Sequence, residues 1–119
     1  MSYIDQTVSV HNDADVSGVE STAANHVLVA APGENRYIFV KEIQLQNEAA
    51  TGNLVTLKRG STVFRRVQLA AAVGDKFNVQ YRRDDGISLA ENEAFAMELG
   101  SATAVNYFIR YEIRAMPIR

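Results

Sequence analysis

The amino-acid sequence predicts an all-β protein, an antiparallel β-sandwich of jelly-roll type with about eight strands and no substantial helix. Three observations lead there. From His26 onward apolar residues recur with period two, and Gly-, Pro- and Asx-rich breaks interrupt them roughly every eight to twelve residues. No window carries an amphipathic helical stripe long enough to be fixed by burial. The 119 residues suit one domain, and 47% hydrophobic with 22% charged residues is a globular balance rather than a disordered one.

Taken in order, residues 1–25 read as an N-terminal arm or loop. Gln6 to Val10 alternates weakly, and His11 to Asn25 (HNDADVSGVESTAAN) is small and polar, with only Val16, Val19 and Ala23 as a possible helical stripe. His26 to Ala31 is a strand stopped by Pro32-Gly33-Glu34-Asn35, where Pro sets φ and Gly permits a positive one. Arg36 to Gln46 places Tyr37, Phe39, Ile43 and Leu45 on one face and Ile38, Val40, Glu42 and Gln44 on the other, so the start of this strand is expected to be covered on both sides. Ala49 to Asn53 turns the chain and Leu54 to Lys58 returns it to the tight turn Arg59-Gly60-Ser61.

Thr62 to Leu69 has no consistent apolar face unless a bulge near Arg65 shifts its phase. Phe77, Val79 and Tyr81 alternate with Asn78 and Gln80 before the break at Arg82-Arg83-Asp84-Asp85-Gly86. Ile87 to Ala90 opens a further strand, and Phe95, Met97 and Leu99 form another, although Leu, Ala, Glu and Met there also favour helix. Val105 to Arg114 is the longest period-two run. The expected division is thus an arm over 1–25, a sandwich over 26–114 and a tail over 115–119. The two long strands and the strand count favour a jelly roll over an immunoglobulin plan.

Catalysis has little to work with. There is no Cys or Trp, and the two His residues lie in the arm (His11) and at a strand start (His26), without metal-ligand spacing. Asp13-Ala14-Asp15-Val16-Ser17-Gly18 begins like a calcium loop, but position twelve is Ala24 instead of an acid, so the expected cofactor set is none. Glu91, Glu93 and Glu98 read as solvated carboxylates, and no nucleophile or phosphate-loop motif is present. A formal charge of −2 gives no support to direct nucleic-acid binding. Neither a signal peptide nor a membrane span is expected. Arginine, nine of the 12 basic residues, suits protein contacts or a solvated strand face.

Several phrases together resemble a family. HVLVAAPGENRYIFVKEIQLQNEAATGNLVTLKRGST, VQLAAAVGDKFNVQYRRDDGISLAENEAFAMEL and VNYFIRYEI, spanning about Ala24 to Ile113, are similar to the small jelly-roll head decoration, cement or fiber-base-like proteins of tailed bacteriophages. The matching features are an LVAA-PG-x-R-I-x-V strand pair, a hairpin ending in KxGST, the Leu69 to Gly74 turn and the Asn92 to Met97 segment, in which Asn92 stands for the usual Gly and tolerates a positive φ. The arginine load and the polar arm depart from the pattern. The resemblance implies a non-enzymatic virion protein on the outer capsid surface, assembled in the host cytoplasm, homotrimeric, and bound to the major capsid protein without nucleic-acid or membrane contact. The partner-binding candidates are Tyr3, Ile4, Phe64, Arg65, Arg66, Arg82, Arg83 and Phe108, with Phe64 and Phe108 expected to lie opposite the core and to be buried by trimerisation. The alternatives are a head-fiber or tail component, or a carbohydrate-binding module stacking sugars on Tyr37, Tyr81 or Tyr107, residues whose phase otherwise puts them in the core.

Overall fold

The structure is a computed structural model that describes residues 13–82 and 85–117. Among these residues there are nine strands and no helix: β1 (Asp13–Glu20), β2 (Asn25–Val29), β3 (Arg36–Asn47), β4 (Asn53–Arg59), β5 (Thr62–Leu69), β6 (Lys76–Gln80), β7 (Ile87–Ser88), β8 (Phe95–Leu99) and β9 (Val105–Ala115). One sheet has the order β1-β9-β3-β6, with β7 also paired to β3, and the other the order β2-β8-β4-β5. Every pairing is antiparallel.

β6 follows β3 from Gln46 to Glu42, and β7 continues along the same edge at Val40 and Phe39. The two are one edge strand interrupted by residues 81–86. Counted that way, the strands pair from the chain ends inward: β1 with β9, β2 with β8, β3 with β6 and β7, and β4 with β5. That is a long hairpin rolled into two facing sheets, the jelly-roll wrap, and it bears out the fold class read from the strand pattern.

The first strand corrects the expected boundary. Asp13–Glu20, read as part of an arm, pairs with β9 along its whole length and is a sheet edge. Its inward residues are Ala14, Val16, Gly18 and Glu20, too little apolar surface to announce a core strand. The small residue is required: a Cβ on Gly18 would lie 2.9 Å from the Tyr107 hydroxyl, because the Tyr107 ring fills the space that a larger β1 side chain would take. At the other terminus β9 runs one residue beyond the expected end, to Ala115.

Two bulges set the faces. In β3 the register shifts between Val40 and Glu42, leaving Lys41 unpaired against β9. Ile38 and Val40 therefore join the core before the bulge and Ile43 and Leu45 after it, so the faces expected for Tyr37 and Phe39 are exchanged with those of Ile38 and Val40. Both sides of this strand start are nonetheless covered, since Phe39 is buried on the outer face under the Arg114 guanidinium, 3.7 Å from its ring centroid. In β5 the shift expected near Arg65 occurs, with Phe64 as the extra residue between Arg65 and Val63. The bulge turns Phe64 onto the core, its ring 5.8 Å from that of Phe95. Phe64 is thus a packing residue, which corrects its expected place opposite the core.

Elsewhere the pattern holds. Phe95, Met97 and Leu99 are core residues of a strand, so the period of two prevails over helix propensity. Gly33 (φ 107), Gly60 (φ 59) and Asn92 (φ 53) occupy the left-handed region their turns require. Asn92 also accepts the Gly33 N–H on its Oδ1 at 2.9 Å, tying two loops together. At the opposite end two buried amides do the same. Asn47 Nδ2 donates to the carbonyls of Thr51 and Ala70, and Asn53 bridges residues 100–103.

Candidate functional site

The β1-β9-β3-β6 sheet turns a broad outer face away from the core, and pairing register defines what lies on it. One row across the strands is Asp15, Arg110, Glu42 and Gln80; the next is Ser17, Phe108, Gln44 and Asn78; the third is Val19, Asn106, Gln46 and Lys76. The face divides into an ion-paired end and an amide-rich one that carries Lys76.

At the charged end the β3 bulge aims Lys41 into a cluster. Its Nζ lies 2.8 Å from Asp13 Oδ1 and 3.1 Å from Glu112 Oε2. Arg114 Nε is 2.7 Å from Glu112 Oε1, and Arg110 meets Glu42 at 3.2 Å and Asp13 at 3.3 Å. Glu112 is buried, and the two cations beside it offset the cost of desolvating its carboxylate. The cluster pins the start of β1, the edge strand, to its neighbours.

The hydrogen bond from Lys41 holds the Asp13 carboxyl below its usual value of 3.8, and the same bond raises Lys41. A carboxyl depressed in the folded state contributes stability above its unfolded pKa and loses it as pH falls through the folded value. Asp13 is half exposed, so the contribution stays below about 1 kcal/mol. Amide exchange in β1 is therefore expected to accelerate relative to β3 as pH drops below about 3.8, after correction for intrinsic rates. Asp13→Asn should remove most of that difference, and identical pH profiles for variant and parent would refute the assignment.

The amide-rich end holds a groove of about 220 Å³ lined by Ser17, Gln44, Gln46, Asn78, Asn106 and Phe108, with Lys76 as the charged residue of its lining. Phe108 is half-buried on its β9 side, between Ser17 of β1 and Gln44 of β3. Sequence reasoning singled out Phe108 but missed the amides beside it. The amides appear in the sequence only as the polar halves of three alternating strands, and it is the β9–β3 and β3–β6 registers that bring them into adjoining rows.

The expected partner residues are dispersed. Arg65 is exposed at the sandwich edge, its guanidinium 4.8 Å above the Phe77 ring, whereas Arg66 is exposed opposite Thr56 on the other sheet. Arg82 is exposed where β6 ends, and Phe108 belongs to the groove. Tyr3, Ile4, His11 and Arg83 lie outside the described residues. Of the tyrosines, Tyr107 is a core residue whose hydroxyl pKa burial raises, and Tyr37 is a half-buried neighbour of Arg114 on the outer face, against its expected core phase.

The remaining candidates have structural partners. His26 contacts Glu20 and Thr22. Glu91 accepts the Asn35 N–H, Glu93 accepts the Ala90 N–H and Glu98 pairs with Lys58 at 2.6 Å. The Asp13 to Gly18 stretch is extended strand, so it forms no calcium loop. Among the described residues no group of three or more His, Cys, Asp or Glu is placed to hold a metal ion, and no helix is long and apolar enough to cross a membrane.

No family model matches the chain, and no curated protein matches it in sequence. Among solved structures it is similar to the virus-like particle of the extra small virus of the giant freshwater prawn Macrobrachium rosenbergii, seen by cryo-EM. The two are 8% identical over 90% of this chain and 80% of that one, with a TM-score of 0.46. A likeness this distant carries no functional weight.

Proposed function

We propose that the chain is a virion structural protein that decorates or cements the head of a tailed bacteriophage, acting by binding alone, with a homotrimer as its working unit and the major capsid protein as its partner. The observation that supports this reading is where the resembling phrases fall. The PG turn, the GST hairpin and the Asn92 turn coincide with the positive-φ positions of the wrap at Gly33, Gly60 and Asn92. The shared phrases therefore track backbone demands of one fold. Such phrases are what relatives retain when side-chain packing drifts.

Association has surfaces to use. Among the described residues β1, β2, β5 and the β6–β7 strand are sheet edges, with backbone groups unpaired by any of these residues along one side. Val27 and Leu54 add exposed apolar area on the outer face of the β2-β8-β4-β5 sheet. The test has two readings. Solution mass should lie near three times 13.1 kDa, and the protein should cosediment with expanded, DNA-free phage heads. A monomer that leaves every head preparation undecorated sinks the proposal. Deleting Met1 to Gln6 then asks whether the N-terminal residues take part, with undiminished occupancy removing Tyr3 and Ile4 from the contact.

A further inference from the structure

We infer that the amide-rich groove on the β1-β9-β3-β6 sheet is a binding site for an uncharged saccharide, with Phe108 as the stacking platform and Gln44, Gln46, Asn78 and Asn106 as the hydroxyl-reading groups. This does not rest on the virion reading. The first ground is chemical type. Each amide presents a donor and an acceptor in one plane, which matches adjacent sugar hydroxyls that must both give and receive hydrogen bonds. Gln44 and Asn106 neighbour Phe108, Gln46 lies diagonal to it and Asn78 is one strand farther on β6, and the C–H face of a pyranose is the apolar surface that such a ring covers.

The second ground is availability. Gln46, Asn78 and Asn106 make no side-chain hydrogen bond with any described residue, although four amides crowd one surface, and Gln44 is tied only to Glu42. An amide cluster built for structure behaves differently here, as Asn47 and Asn53 show: both are buried and their amide groups are engaged with surrounding loops. The third ground is charge. Among the described residues Lys76 is the one cation lining the groove, whereas binding phosphate chains draws on several. The ion-paired row of Glu42 and Arg110 closes one side. The volume lies below the roughly 300 Å³ where pockets for drug-sized ligands begin, which suits one ring of an oligosaccharide crossing an open sheet.

The experiment is a titration of the 15N-labelled full chain with maltotriose, cellotriose, mannotriose and the N-acetylglucosamine trimer at millimolar concentrations, read on the side-chain amide resonances. With at least one probe, saturable shifts are expected at Gln44, Gln46, Asn78 and Asn106. Phe108→Ala should then weaken binding by at least about tenfold, while Gln68→Ala on the opposite sheet leaves it unchanged. Should Phe108→Ala fail to fold, Asn78→Ala on the edge strand should produce a weakening of several-fold instead. Silence with all four probes overturns the inference. So do shifts that survive both groove substitutions, and so does a response confined to a sulfated trimer or to oligodeoxythymidylate, which would make the face a reader of charge. Decoration of phage heads is scored separately and can fail without touching this result.

Discussion

Replacing Asn53 by leucine is expected to cost about 3 to 4 kcal/mol of stability, because one nearly isosteric side chain removes a whole bridging set. Asn53 is 1% exposed at the start of β4. Its Nδ2 donates to the carbonyl oxygens of Ser101 and Thr103 and to Thr103 Oγ1 at 3.1 to 3.3 Å, and its Oδ1 accepts the N–H groups of Gly100 and Ser101. Leucine fills the volume and strands the Ser101 N–H and the Ser101 and Thr103 carbonyls, at about 1–3 kcal/mol for each that water cannot reach, whereas the Gly100 N–H keeps the Leu54 carbonyl at 2.9 Å. Against a total of about 5–15 kcal/mol the variant should melt more than about 10 °C lower. Asn53→Asp refines the test. Its carboxylate keeps the two accepted bonds but faces two carbonyls, so it should recover stability on acidification, when the carboxyl can donate. Denaturation that finds either variant within about 1 kcal/mol of the parent would show that water replaces the amide.

Gly86→Ala is the second large effect, about 3 kcal/mol. A Cβ there would sit 2.3 Å from the Val40 carbonyl oxygen and 2.9 Å from the Phe39 ring. Neither obstacle can yield cheaply: the carbonyl belongs to the central strand, and Phe39 is buried under Arg114. The expected outcome is separation of β7 from β3, with loss of the Leu89 N–H to Ile38 bond and of protection at Leu89 while β6 stays protected. A uniform loss of protection would instead mean that the whole sandwich is destabilised, and an unchanged Leu89 would refute the packing argument.

How far the sequence carried depended on the kind of information each element held. β9 and β6 were legible because each keeps one phase throughout. β5 announced its bulge, because Val63, Arg65, Val67 and Leu69 could not all face inward. β3 concealed its own: Tyr37, Ile38, Phe39 and Val40 are all apolar, so alternation could not say which pair met the core, and only pairing with β9 fixed Lys41 as the extra residue. β1 was missed because its inward side is built of Ala14, Val16 and Gly18, with the missing bulk supplied by Tyr107 from another strand. The groove was illegible for a related reason, since a site made of single amides from β3, β6 and β9 has no local motif and exists only in the register.

The outside-in pairing also governs when the chain can fold. β9 is the central partner of both β1 and β3 and is the last strand to be made. While the ribosome holds residues 105–115, the first strand has no neighbour and β3 lacks one of its two flanks. The β4–β5 hairpin, joined by the Gly60 turn, can settle first, and the β2-β8-β4-β5 sheet and the β3 pairing with β6 and β7 need no residue of β9. The sandwich should therefore close only once residues 105–115 have emerged, at the millisecond-to-second pace of β proteins with distant pairings. A nascent chain that has not yet exposed residues 105–115 should leave Asp13–Glu20 open to protease.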